Sequence, residues 1–575
     1  MLVRARRARP GIRSAFGRAI IKTSRRGFLG LGIPAIGAIP LLQTGAGAQT
    51  EFNQRQTFSR DPRATLGSIE GQRQGDLGNG QFLNPVLPGD HPDPNVLKDG
   101  DDYYLSYSSF DYYPGIVIWH SKDLVNWTPI GPALRTYIGS VWALDLVKHD
   151  GRYFIYIPVF QVPRASESAR PAVTGSPFRI YVIHAEQMSG PWSEPIDMDI
   201  TGYIDPGHAV GEDGQRYLFL NGGHRVRITA DGLRRAGAIE KVYDGWKYPE
   251  EWIVEGFALE GPKVLRHGDW FYMFSGEGGT AGPPTSHMVV VARARSIHGP
   301  WENCPHNPIV HTGSRDELWM SRGHATAVEG PKGDWWMLYH GYENGFRTLG
   351  RQSLLEPFEW TADGWPIARG EDAAEPMSKP VPVTTVNPHG QPLSDDFRQN
   401  RLGTHLAFYQ PQGDYLKRAR FEDGGMLLAG QGSGPAGSSP LAMINGDHSY
   451  EVVVEFELRG AAQGGLLLFY NNDLFCGIGC DGKRLRNYKL GKDLSYAPSP
   501  SITNPHLFMR VQNLANIATF FWSEDGVRWQ KANSFEVSGY NHNVGDGFLS
   551  LRPALFASGS GDVLFKKLQY QAIQG

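Results

Sequence analysis

Five runs in the first two-thirds of the chain share one pattern: a turn with Gly or Asp, then a strand-length run of alternating aromatic and small apolar residues. They are GDDYYLSYSS from Gly100, GRYFIYIPV from Gly151, GQRYLFLNGG from Gly214, GDWFYMFSGE from Gly268 and GDWWMLYHGY from Gly333. Alternation over this length predicts buried strands. The leading aromatics, Tyr103, Tyr153, Tyr217, Trp270 and Trp335, are spaced 50, 64, 53 and 65 residues apart. KDLVNW at 122–127, SGPW at 189–192 and HGPW at 298–301 punctuate the same region and predict the turn that closes each unit's outer hairpin. Several strands per unit of this length, counted five times, predict a five-bladed β-propeller over 81–370.

Beyond 370 the repeat stops. Residues 371–392 are rich in Pro and polar residues and read as a linker. Shorter alternating runs follow, among them YEVVVEFELRG, GGLLLFYNN, LFMRVQN and TFFWSEDG. They predict an antiparallel β-sandwich over 393–575. Residues 49–80 are polar and turn-rich and read as a loose lead-in. The fold class is therefore all-β.

Composition agrees. Gly 71 and Pro 40 among 575 residues favour turns over helices, and 12% aromatic residues supply cores. The first 48 residues differ: a basic start, then Arg25-Arg26-Gly27-Phe28-Leu29, a short Gly- and Pro-containing apolar run, and Ala46-Gly47-Ala48. This resembles a twin-arginine export signal, and the apolar run is too short for a membrane span. Cleavage after Ala48 removes nine Lys and Arg and no acids, taking the net charge from −3 to −12. An acidic mature chain argues against nucleic acid or an anionic membrane as partner and is compatible with a neutral polysaccharide. A periplasmic or extracellular location follows. Cys304, Cys476 and Cys480 are too few for a disulfide framework and read as buried small residues.

Three carboxylates precede an aromatic strand. Asp93 lies between two prolines in GDHPDPNV, Asp205 precedes a proline in GYIDPGHAV, and Glu260 lies in LEGPKV. Their common position lets all three face one central pocket. Two carboxylates across a sugar suit glycosidic hydrolysis, and a third can raise the acid's pKa.

These motifs, in this order and spacing, resemble glycoside hydrolase family 43 over about residues 82–370, and the C-terminal region resembles the accessory sandwich of its xylosidase-like members. The resemblance implies Asp93 as general base, Glu260 as general acid and Asp205 as the residue that tunes and orients Glu260. It implies substrate contacts from Arg351, from His324, and from the aromatic walls Phe110 and Trp142, with Phe548 lent by the sandwich. It requires no cofactor and allows a structural calcium, with His324 as candidate ligand. His91, where the family has tyrosine, and Gly207–His208 depart from its pattern and are expected to reshape the first sugar subsite. The expected activity is an exported, inverting exo-glycosidase releasing terminal xylose or arabinofuranose from plant cell-wall polysaccharide or oligosaccharide. An endo-acting arabinanase and a non-catalytic carbohydrate-binding propeller are the alternatives.

Overall fold

The computed structural model describes residues 68–161, 176–370, 372–382, 387–494, 496, 499–545 and 547–573. The export signal and residues 49–67 of the lead-in lie outside the described residues.

Each aromatic run is the second strand of an antiparallel blade: Asp102–Ser106, Arg152–Phe160, Arg216–Leu220, Trp270–Glu277 and Trp335–Glu343. The strands they pair with on the inner side are Asn95–Asp99, Asp145–His149, Gly207–Val210, Glu260–His267 and Trp319–Glu329. We call these blades I to V. The glycine that heads each run has a positive φ: +62° at Gly100, +78° at Gly151, +72° at Gly214, +59° at Gly268 and +78° at Gly333. A hairpin turn in the left-handed region favours a residue without Cβ, which is why the repeat is readable from glycine. The KDLVNW, SGPW and HGPW segments fall between the third and fourth strands of blades I, II and IV.

Blade V is built from four strands consecutive in sequence, so blades I and V share none. Instead Tyr103 donates its hydroxyl to the Glu329 carbonyl (3.1 Å), and Thr326 donates to the Pro94 carbonyl (3.0 Å). Outside the ring the two flanking segments grip each other. Gln81–Phe82 pairs with Met377–Ser378, and Lys379 Nζ lies 2.6 Å from Asp76 Oδ2 with both side chains fully buried. Residues 72–76, expected to be loose, are instead packed in: Arg73, Gln74 and Asp76 are buried. Arg73 bonds Glu343, Gln352 and the Gly446 carbonyl, because a buried carboxylate such as Glu343 needs a counter-charge. The composition that suggested a loose lead-in reflects these paired polar groups.

The C-terminal region is organised by two long antiparallel strands, Ser449–Asn471 and Arg552–Ala572, paired along most of their length. Alternate residues such as Val452, Val454 and Phe456 turn inward. Its core is continuous with that of blades I and II. The sheet itself crosses over: Phe408 and Tyr409 pair with Tyr113 and Tyr112 of the propeller. The three cysteines are buried and unpaired.

Candidate active site

Asp93 and Asp205 each stand two residues before their blade's inner strand, and Glu260 opens its own. The prolines that follow have a structural counterpart. Asp93, Asp205 and Gly261 all precede proline and all have positive φ, at 55°, 56° and 59°. Residues before proline favour extended backbone, so the two aspartates occupy a costly conformation that the surrounding structure must enforce.

Asp93 is buried among donors. Its Oδ1 accepts from Arg351 Nη1 at 2.8 Å, and its Oδ2 from the Ser108 hydroxyl at 2.5 Å. His340 Nδ1 lies 3.1 Å from both its backbone nitrogen and its Oδ1. Burial pushes its pKa up, but the Arg351 guanidinium and the His324 and His340 imidazoles outweigh that and hold the carboxyl well below the ordinary range. Asp205 is pushed the other way, to about 7, by burial and by the like charges of Glu260 and Asp93; His324 and the Gly261 N–H oppose the rise. That N–H donates to Asp205 Oδ2 at 3.1 Å, tying Asp205 to the residue after Glu260.

His324 approaches both of the other acids, its Nδ1 3.6 Å from Asp93 Oδ1 and 3.8 Å from Glu260 Oε1. It is placed there by irregular pairing in strand Trp319–Glu329, at a φ of 59°. Burial disfavours its charge, but Asp93, Glu260 and Asp205 together raise its pKa. Calcium takes roughly six to eight oxygen ligands. The rings nearest His324 are two more imidazoles, His287 and His340, and no cluster of metal-binding side chains occurs among the described residues. These residues do not fit a calcium cage.

Arg351, Phe110, Trp142 and Phe548 come together. The Arg351 guanidinium carbon lies 5.6 Å from the Phe110 ring centre and 5.2 Å from that of Phe548. Trp142 packs edge-on against both rings, at 6.0 and 5.6 Å. A cleft of about 890 Å³ opens beside these aromatics between propeller and sandwich, with Gln412, Gln431 and Asn472 on its sandwich side.

Several site residues escaped the sequence reading. The rule that selects an acid ahead of its blade's aromatic strand also selects Asp145 in blade II. Its Oδ1 accepts from Asn95 and from Lys263 Nζ, both at 2.9 Å; Lys263 also donates to the Pro206 carbonyl. Polar groups of blades I to IV are thereby linked. His287, whose Nε2 is 3.4 Å from Glu260 Oε1, and His340 carried no comparable signal. The departures have packing roles and also touch the frame of the site. The His91 ring packs edge-on against Tyr107 and Trp119, and its backbone N–H donates to the Arg351 carbonyl at 2.9 Å. A Cβ on Gly207 would lie 1.7 Å from the Pro262 carbonyl oxygen; the His208 ring stacks on Tyr156 and its backbone N–H donates to Asp145 Oδ2 at 2.6 Å.

Carboxylates from three blades, converging on one axis and walled by aromatic rings, define a propeller of the glycoside hydrolase class. Residues 82–366 match the model of glycosyl hydrolases family 43, and the chain belongs to that family. A xylan 1,3-beta-xylosidase of a Vibrio species is 32% identical over 337 residues, covering 52% of this chain and 59% of that protein. A non-reducing end alpha-L-arabinofuranosidase of Bacteroides ovatus is 31% identical over 353 residues, covering 57% and 61%. The chain thus spans less than two thirds of either relative. A solved variant of the family 43 protein BlXynB from Bacillus licheniformis superposes with a TM-score of 0.76 at 25% identity, covering 86% of this chain and 100% of that one.

Proposed function

We propose that this chain is an exported, inverting exo-glycosidase that removes terminal xylose or arabinofuranose from plant cell-wall polysaccharide or its oligosaccharides. The observation that carries the reading is the convergence of Asp93 and Glu260 on one nitrogen of His324, with Asp205 tied to the residue after Glu260. Asp93, held ionised by Arg351, takes a proton from a water that attacks the anomeric carbon. Glu260 protonates the departing oxygen. Asp205 orients Glu260 through the Gly261 N–H and sets its electrostatic surroundings. The sugar's hydroxyls face Arg351, and its ring packs on the aromatic wall. Phe548 narrows the pocket from the sandwich side, which supports binding of a chain end, and the interdomain cleft receives the rest of the oligosaccharide. The named activities of the two relatives support a xylosidase or arabinofuranosidase. Export rests on the sequence of residues 1–48.

The test is hydrolysis of aryl β-D-xylopyranoside and aryl α-L-arabinofuranoside by wild type, Asp93→Ala and Glu260→Gln, with the first-formed anomer read by NMR. Turnover of either glycoside by wild type, lost in Asp93→Ala and giving an inverted product, is expected. A retained product, or an active Asp93→Ala variant, overturns the mechanism.

A further inference from the structure

Three residues before Asp93 lies a second buried aspartate for which the reaction has no direct use. Asp90 is 1% exposed. Its Oδ1 accepts the backbone N–H of Arg351 at 3.3 Å, and its Oδ2 accepts Nη2 of Arg552 at 2.9 Å. Arg552 belongs to the sandwich, at the start of the long strand Arg552–Ala572. It too is buried and is held on three sides: by Asp90, by the Ser550 hydroxyl, which accepts from its Nε at 3.0 Å, and by the face of Tyr112 at 3.8 Å. Arg552, Asp90, Arg351 and Asp93 are thus connected in that order, from the sandwich to the proposed base, with the middle link made by the Arg351 backbone N–H rather than its guanidinium. The backbone is shaped to admit it. Gly350 has a φ of +77°, and a Cβ there would lie 2.3 Å from Asp90 Oδ1, so any larger residue would push Asp90 off Arg351.

We propose that Arg552 is a positioning residue for catalysis: by neutralising Asp90 it lets Asp90 anchor the Arg351 backbone, and so leaves the Arg351 guanidinium to Asp93. This deepens the reading above and rests on it. The physical argument turns on what happens without Arg552. A buried carboxylate stripped of its partner is far more disruptive than the absence of the pair. Asp90 then either takes a proton, becoming a weaker acceptor for the Arg351 N–H, or draws the Arg351 guanidinium away from Asp93. Both outcomes misplace the base. Asp93 is faced by Arg351, His324, His340 and the Ser108 hydroxyl, with Asp205 and Glu260 as nearby like charges; of these only Arg351 is tied to Asp90.

The experiment is a double-variant cycle on the full chain, assayed well below the melting temperature of every variant. Arg552→Met is expected to lower kcat/KM by about 30-fold or more, mainly through kcat, and to move the acidic limb of the pH profile upward. Arg552→Lys recovers part of the loss. Arg552→Met combined with Asp90→Asn recovers at least about tenfold over Arg552→Met alone, and returns the acidic limb toward the wild-type position. The packing lost with the guanidinium is the same in single and double variants, so recovery reports charge. A double variant as slow as the single, or slower, with the acidic limb unmoved throughout, overturns the proposal. Asp93→Ala in the same assay separates the two failures: its inactivity beside an additive cycle removes the role of Arg552 and leaves the function of Asp93 standing.

Discussion

Phe548 and Phe110 stack at 6.2 Å, their planes 29° apart, although 438 positions separate them in sequence. One ring comes from the sandwich and the other from blade I. The Arg351 guanidinium lies beside the pair, 5.2 and 5.6 Å from the two ring centres, and the rings help to keep it from water, which strengthens its hold on Asp93. Phe548→Ala is therefore expected to raise KM and to lower kcat/KM by about tenfold or more. Steady-state kinetics on the aryl glycosides check this, and an unchanged KM would place Phe548 outside the sugar site.

The pH profile carries a second expectation. Asp205 is pushed up to about 7 by burial and by Glu260 and Asp93, so it is protonated below that pH and ionised above it. Its ionisation changes the charge beside the acid Glu260 and so the rate. The kcat/KM profile should inflect near pH 7, an inflection that belongs to the interacting acids as a set. In Asp205→Asn the inflection should move and the rate should drop; an inflection that stays in place would detach Asp205 from the chemistry.

Close approach of blades III and IV makes a third. The Cβ of a Gly207→Ala variant would meet the Pro262 carbonyl oxygen at 1.7 Å, a clash with backbone that no rotamer relieves. Overpacking of this kind costs about 1–3 kcal/mol or more. The displaced segment holds Asp205 on one side and Glu260 on the other. Loss of both melting temperature and activity is expected, whereas Gly100→Ala, whose Cβ would meet nothing within 4 Å, should disturb only its own turn.

Glu277 supplies a stability test with a definite sign. It is fully buried at the end of the blade IV aromatic strand, with no counter-charge beside it among the described residues and only the Trp246 backbone N–H to offset its burial. Burial raises its pKa to about 8. Between the ordinary value of 4.5 and about 8 the folded chain holds a proton that the unfolded chain has released, so stability falls as pH rises through that window. Glu277→Met should stabilise by roughly 1–3 kcal/mol, the cost of a buried polar group left short of partners. The gain should be larger at pH 8 than at pH 5 in denaturant melts.

The propeller was legible because its turns demand glycine at the head of each aromatic strand, and three of its blades carry a proline-marked acid at or just before the preceding strand. Both constraints are local and leave a periodic mark. Asp145 obeyed the same rule and was passed over because its segment carries no proline. The histidines His287 and His340 left no mark of their own. His340 is an ordinary residue of strand Trp335–Glu343, and His287 stands just before strand Met288–Ala294; both meet the acids through contacts distant in sequence.

The clasp of Asp76 on Lys379 carries a consequence for how this molecule can be divided. The segment that family comparison recognises, 82–366, excludes both residues, although each is the other's counter-charge in a fully buried setting. Exchanging that segment alone between homologues would set an inherited aspartate and lysine against a foreign ring. Trimming to its limits would remove the fastening that holds the first and last blades shut. The heritable unit is wider than the recognisable one: it runs from Arg73 through the sandwich, and shuffling is tolerated only at cuts outside that span.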